Sequence, residues 1–251
     1  MSLAPESLAE DFSARPGVAL VVGGNGGLGA PIAEMLAARG ARVAVTFRRT
    51  PPERAPSYRL DLGDLASVPE VISAIAQEGG GMHTLVHAAG PHVPMVHLSR
   101  VDPAAMAAQL AADASAFFAV IVAALPHLRA ANGSVVAVTT AATTRFPVRD
   151  GLSSAPKAAV EAMVRGFAAE EGRFGVRFNA VGPGMLTDGM AERLMASGDL
   201  SDADLDITRA NIPLRRFGSA ADVAEAVCFL ASDRAGFVSG QKLDVDGAYG
   251  V

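Results

Sequence analysis

The stretch Val18-Ala19-Leu20-Val21-Val22-Gly23-Gly24-Asn25-Gly26-Gly27-Leu28-Gly29 decides how the rest of the chain is read. Its first five residues are a short apolar run, the pattern of a strand buried on both faces of a parallel sheet. Five glycines among the next seven residues neither extend a strand nor favour a helix, so they form a tight turn. Beyond Gly29, the apolar Ile32, Met35 and Leu36 are set against Glu34 and Arg39, the spacing of a helix laid on a sheet. Such a helix start leaves N–H groups pointing at whatever lies over the turn. The expected occupant is the pyrophosphate of a dinucleotide, with Gly23 and Gly27 permitting close approach and Gly29 letting the helix sit tightly on the sheet. No Lys followed by Ser or Thr closes the glycine run, so it is not the phosphate loop of a nucleotidase.

The whole chain fits that beginning. Its 251 residues are enough for a large core within one domain spanning 1–251. Half the residues are hydrophobic, which excludes a disordered chain. A net charge of -5 argues against a nucleic-acid binder, with Arg48 and Arg49 a local feature. Cys228 is the only cysteine, so no intrachain disulfide forms, and its apolar surroundings read as core. The first fifteen residues lack the basic flank and apolar run of a signal peptide, and no uninterrupted membrane span is expected. A cytoplasmic protein is the expectation.

Strands and helices alternate after the glycine turn. Strands are expected at 41–47, 58–62, 84–87, 134–139, 176–181 and 241–245, and helices at 68–78, 104–128, 155–171 and 220–230. Residues 1–16 read as a loosely packed leader with a helical turn at 7–12. The segment from 183 to about 210 suits a substrate lid with one or two short helices, and its Met185, Leu186, Met190, Leu194 and Met195 suggest a substrate with apolar area. This alternation predicts an α/β fold: a Rossmann-like, doubly wound parallel sheet flanked by helices on both faces. Ligands then sit beyond the carboxyl ends of the strands.

The second strand ends in Thr46-Phe47-Arg48-Arg49 rather than in a carboxylate. A pair of guanidinium groups there suits the 2′-phosphate of NADPH better than the bare ribose of NADH. Asp61, with Leu62, is expected beside the adenine, and Ala88-Ala89-Gly90 gives room for a ribose.

With these residues in place, the chain resembles the classical short-chain dehydrogenase/reductase family, and within it the 3-oxoacyl-(acyl-carrier-protein) reductase branch. The resemblance runs from Val18 to Gly250. It rests on Gly23, Gly27 and Gly29, Asp61, Ala88-Ala89-Gly90, Pro126, Asn179, Pro183-Gly184, and a tail through Arg216-Phe217-Gly218, Ser239-Gly240-Gln241, Asp244 and Asp246-Gly247. It implies that the dinucleotide is held by Gly23, Asn25, Gly26, Gly27, Leu28, Gly29, Arg48, Arg49, Asp61, Leu62, Ala88, Ala89, Gly90, Lys157, Pro183, Gly184 and Thr187. It also implies a homotetramer or homodimer; Phe117, Phe118, Ile121, Phe167 and the tail from Phe237 are consistent with such surfaces.

The catalytic set that the resemblance implies is altered. Family members carry Asn, Ser, Tyr and Lys. Here Lys157 matches the lysine, but Ser153 stands where the tyrosine would be. Thr140 takes the place of the serine, Asp113 that of the helix asparagine, and His87 that of the strand-four asparagine. A phenol titrates at about 10 and an aliphatic hydroxyl far higher, so Ser153 does not replace it as an acid. General acid catalysis of ~10²–10⁴-fold is at stake. The hydroxyls of Thr140 and Ser153 remain available to hold an oxyanion, and an Asp113–Lys157 ion pair would keep Lys157 in place. His92, on the loop after Gly90 with His97, is a candidate surrogate acid. His87 reads as a satisfied buried residue that orients Asp113 or the turn, and Tyr249 approaches a site only in a minor alternative. No metal ligand set is spaced along the chain. Three functions follow: an NADP(H)-dependent oxidoreductase acting on a carbonyl or alcohol by a weakened proton-transfer step, a catalytically impaired dinucleotide-binding homologue with a regulatory or structural role, or a small-molecule binder that keeps the scaffold only.

Overall fold

The computed structural model describes residues 10–52, 55–91, 93–187 and 202–251. Seven strands form one parallel sheet: β1 (Val18–Val22), β2 (Val43–Phe47), β3 (Ser57–Arg59), β4 (Met82–His87), β5 (Ser134–Val138), β6 (Arg177–Pro183) and β7 (Lys242–Val245). Their order across the sheet is β3-β2-β1-β4-β5-β6-β7. The chain therefore winds outward in one direction from β1 and then in the other from β4, and the crevice at that reversal is where such sheets take ligands. The helices are α1 (Gly29–Ala38), α2 (Val68–Gly79), α3 (Pro103–Leu110), α4 (Ala116–Ala130), α5 (Gly151–Glu171), α6 (Asp202–Asn211) and α7 (Ala220–Ala231).

The strands are buried on both faces, and successive side chains serve opposite layers. Leu20 and Leu85 join Ile72, Phe117, Ile121, Leu128 and Phe178 in the layer under α2, α4 and α5. Val21 and Val86 join Ile32, Leu36, Val223 and Val227 in the layer under α1 and α7. Truncating one of the buried aromatics to alanine costs about 3–5 kcal/mol, because the cavity only partly collapses. Cys228 lies in the second layer at 0% exposure, and burial pushes its thiol up to about 12, which fits the core assignment. Helix ends follow local rules. Gly80 ends α2 in the left-handed conformation, at φ 69°. Ser219 and Asp222 form a reciprocal capping box at the start of α7.

Several expectations need correction. The leader is not loosely packed where it is described: Phe12 is 1% exposed, stacks near His83, and donates its N–H to the Arg39 carbonyl at 3.0 Å. Its ring closes the end of the α1/α7 layer, and Asp11 is held there by Arg39 and Arg234. Residues 1–9, with most of the expected helical turn, lie outside the described residues. Helix α5 begins at Gly151, not at 155, so Pro156 falls inside it. Buried Leu152 anchors that first turn, and the N–H and hydroxyl of Ser154 both donate to the Asp150 carbonyl, at 2.9 and 3.0 Å.

The long middle helix is α3, a π-helical segment Ala111–Ser115, and α4 in direct continuation. Together they make one 28-residue helix, Pro103–Ala130, with a mean hydropathy of 1.8 in its most apolar window. By length and composition it could span a membrane, contrary to the expectation of no such stretch. Its inward residues, Phe117, Val120, Ile121, Ala124 and Leu128, are all 0% exposed against the sheet and α2. Phe117 and Ile121 are thus core and not part of an outer surface, whereas Phe118 is 50% exposed and Phe237 fully so.

Candidate active site

The glycine turn has the shape its sequence demands. Gly23 sits at φ 80°, and a Cβ there would lie 2.9 Å from the Ala89 Cα. A Cβ on Gly29 would lie 2.1 Å from the Gly23 carbonyl oxygen, so only glycine lets α1 start so close to β1. Thr46 pins the turn from β2: its hydroxyl accepts from the Gly23 N–H at 3.1 Å and its carbonyl from the Gly24 N–H at 3.1 Å. Sequence reasoning missed this role, because nothing in the sequence pairs position 46 with position 23. No acceptor is found for the N–H groups of Gly27, Leu28 and Gly29 among the described residues. A backbone cradle with spare donors and no side chain in the way fits an anionic pyrophosphate.

A crevice of about 310 Å³ opens over this turn. Among the expected cofactor residues, Gly23, Asn25, Gly26, Arg48, Asp61, Leu62, Ala88, Ala89 and Gly90 line it. Gly27, Leu28, Gly29 and Arg49 do not, and Arg48 alone of the arginine pair borders the cavity. Pro183 and Gly184 line a second cavity instead. The Thr187 N–H and hydroxyl are both directed at the Gly218 carbonyl, at 2.9 and 3.3 Å.

Beside the first cavity stands a charged pair. The π-helical segment turns Asp113 inward to 2% exposure, and Lys157 from α5 meets its Oδ1 at 2.7 Å. Gln109, one helical turn earlier, donates to Oδ2 at 2.8 Å. The spacing of four residues was a readable signal for that contact. A Cβ on Gly90 would lie 2.8 Å from the Lys157 Nζ, so the ammonium abuts the wall of the crevice over the glycine turn. The expectation that His87 is satisfied is not met. It is buried at 3% exposure, but its Nε2 finds no partner, and Gln109 rather than His87 orients Asp113. Its ring lies edge-on to Phe117, and burial, with the charge of Lys157, lowers its pKa to about 3.

The second cavity, of about 260 Å³, brings Thr140 and Ser153 together. Thr140 caps a short 3-10 turn, its hydroxyl oxygen accepting from the Ala142 N–H at 3.1 Å. Val93, Met95, Met185 and Ile212 supply apolar walls. Two further residues that sequence reasoning left out of the site also line it, Asp150 and Tyr249. Arg145 holds Tyr249, donating to its carbonyl at 2.9 Å and lying 4.6 Å over its ring. His92, Met190, Leu194 and Met195 lie outside the described residues. Among the described residues there is no cluster of metal-ligating side chains.

Comparison with known proteins agrees with this geometry. The profile of the family described as Enoyl-(Acyl carrier protein) reductase matches residues 22–250. The cis-4-hydroxycyclohexanecarboxylate dehydrogenase of Sinomonas cyclohexanicum is 33% identical over 254 residues, covering 96% of this chain and 99% of that protein. The 4-formylbenzenesulfonate dehydrogenase of Comamonas testosteroni is 34% identical over 244 residues, covering 92% and 96%. Among solved structures, a short-chain type dehydrogenase/reductase from Mycobacterium ulcerans superposes with a TM-score of 0.85 at 26% identity, over 95% of this chain and 91% of that one. The chain belongs to the short-chain dehydrogenase/reductase family, whose members are oxidoreductases on a Rossmann-like sheet.

Proposed function

We propose that this protein is an NADP(H)-dependent oxidoreductase that interconverts a carbonyl and an alcohol without a tyrosine acid. The observation that carries the proposal is the presence of two cavities, one floored by the glycine turn and edged by Arg48, the other holding Thr140 and Ser153. A nicotinamide dinucleotide, when bound, supplies or accepts the hydride. The spare N–H groups at the start of α1 hold its pyrophosphate. Arg48 selects the 2′-phosphate, as an exposed guanidinium at the crevice edge can pair with it while a bare ribose offers it nothing. Thr140 and Ser153 donate hydrogen bonds to the substrate oxygen as charge develops on it, the kind of stabilisation that persists without a phenol. The names of the Sinomonas and Comamonas dehydrogenases describe six-membered-ring compounds, and the apolar walls of the second cavity suit a compact ring of that kind.

The alternative is a dinucleotide-binding homologue with little turnover. Ser153 at the tyrosine position and the commitment of Lys157 to Asp113 favour it. Exposed Phe118, Val122 and Phe237 would then serve, as in the first case, to join copies into a homodimer or homotetramer.

Calorimetric titration with NADPH and NADH, followed by reduction assays with cyclohexanone and benzaldehyde, tests the proposal. Tighter binding of NADPH and measurable reduction support it. Binding without reduction, even after Ser153→Tyr, leaves the alternative, and the absence of binding to either dinucleotide removes both.

A further inference from the structure

The start of α5 carries a carboxyl group that the family's catalytic pattern leaves without a role. We propose that Asp150 is the proton-handling group of the second cavity, exchanging a proton with the substrate oxygen held by Ser153 and Thr140. The inference rests on the reaction proposed above and supplies the acid that the replacement of tyrosine removes.

Position is the first argument. Asp150 borders the same cavity as Ser153 and Thr140. Its backbone carbonyl accepts the Ser153 N–H at 3.0 Å, which fixes the two residues one helical turn apart at the head of α5. Although it occupies the helix N-cap position, its side chain does not cap the helix. The carboxyl group therefore remains available to the cavity.

Surroundings are the second. Three cations on neighbouring stretches of chain are engaged with other groups. Arg149 donates to the Met95 carbonyl at 2.8 and 3.2 Å. Arg145 is occupied by Tyr249, and Lys157 by Asp113. Tyr249, from the carboxyl-terminal tail, is the other titratable side chain on this cavity wall among the described residues. Burial raises the Asp150 carboxyl to about 6, and no cation is paired with it among the described residues. An acid in that range exchanges protons near neutrality, which the Ser153 hydroxyl does not.

The step balances. As hydride from a reduced nicotinamide forms the new C–H bond, the carbonyl π pair moves onto oxygen. The O–H bond of Asp150 breaks, directly or through the Ser153 hydroxyl, and the proton completes the alcohol. The carbonyl is reduced, the nicotinamide is oxidised, and the Asp150 carboxylate regains its proton from water. In the oxidising direction the carboxylate takes the proton.

The test combines carbon-13 carboxyl titration of the protein without cofactor with NADPH-dependent reduction of benzaldehyde and cyclohexanone. Wild type, Asp150→Asn and Tyr249→Phe are compared. The expected result is a carboxyl titrating near pH 6 that is lost in Asp150→Asn and kept in Tyr249→Phe. Reduction by wild type should fall tenfold per pH unit above that point. Asp150→Asn should lower kcat by about 10²-fold and flatten the profile, with NADPH affinity unchanged. The inference is overturned if no carboxyl titrates near 6, if Asp150→Asn keeps the rate and its pH dependence, or if that dependence disappears in Tyr249→Phe instead. It is also overturned if wild type binds NADPH yet reduces neither probe below the titration point. Failure to bind NADPH at all brings down the proposed function itself, whereas reduction that is indifferent to Asp150→Asn brings down only this inference.

Discussion

Asp113 and Lys157 are bound to each other at 2.7 Å, with the carboxylate 2% and the lysine 14% exposed. Removing one partner of such a pair leaves an uncompensated buried charge, which costs about 3–5 kcal/mol, whereas replacing both with apolar groups is often nearly neutral. Asp113→Ala should therefore lower stability in urea denaturation by about 3 kcal/mol. The double variant Asp113→Leu/Lys157→Met should recover much of that loss. A loss in the double variant equal to the sum of the losses in Asp113→Leu and Lys157→Met alone would show that the pair contributes no coupling.

Arg48 borders the crevice over the glycine turn and Arg49 does not. Hydrogen bonds to a charged group contribute about 1.5–3 kcal/mol, which corresponds to roughly 10–150-fold in affinity. Arg48→Ala should weaken NADPH binding within that range and leave NADH binding unchanged, while Arg49→Ala should have a small effect on both. Calorimetric titration measures each. A loss of NADPH affinity confined to Arg49→Ala would reverse the assignment.

Gly29 has no room for a methyl group, since a Cβ would meet the Gly23 carbonyl oxygen at 2.1 Å. That oxygen belongs to the backbone of the turn and cannot swing aside. Gly29→Ala should cost about 1–3 kcal/mol through forced backbone movement and should abolish detectable dinucleotide binding. Gly166, where nothing lies within 4 Å of an added Cβ, is the internal comparison. Gly166→Ala lies within α5 and should stabilise the protein by up to about 1 kcal/mol through helix propensity.

Stability should depend on pH through buried histidines. Burial, aided by the charge of Arg15, lowers His83 to about 4, and burial with Lys157 lowers His87 to about 3. The unfolded chain binds these protons first, from the ordinary value of 6.5 downward. Their contribution to stability is thus complete above 6.5 and is lost as pH falls toward the lowered values. Each histidine adds up to about 1.4 kcal/mol per pH unit to the slope in that window. Denaturation midpoints of His87→Leu between these limits should show a shallower slope than wild type.

Asp150 should act in the opposite direction. Its carboxyl is raised from 3.8 to about 6, so the folded state holds its proton longer than the unfolded chain does. Stability from this group is present at low pH and is lost as pH rises through the interval between those values, after which the cost of the buried charge stays constant. Asp150→Asn should melt above wild type in alkaline buffer and close to it in acid. A carboxylate kept in the protein at such a cost is what a functional group in a cavity wall would show.

Much of the architecture was legible because it rests on local rules. The apolar run of β1, the five-glycine turn and the amphipathic α1 each answer to the chemistry of neighbouring residues, as do the Gly80 terminus and the Ser219–Asp222 cap. Errors arose where a distant contact outweighed a local preference. The helix expected from residue 155 begins earlier, because buried Leu152 and the bonds from Ser154 to the Asp150 carbonyl carry α5 back to Gly151. Phe12 belonged to an apparently loose leader until the end of a core layer claimed its ring.

The sequence by itself determined the alternation of strands and helices, the glycine turn between β1 and α1, and the presence of Ser153 four residues before Lys157, because each depends on residue type and spacing along the chain. The tertiary structure decided what stands beside Ser153. It set Gln109 and Lys157 around Asp113, faced Asp150 and Tyr249 onto the same cavity, and left His87 buried without a partner for its Nε2. Those are meetings between segments up to about a hundred residues apart, and desolvation and charge pairing exist only once packing has removed the water between them.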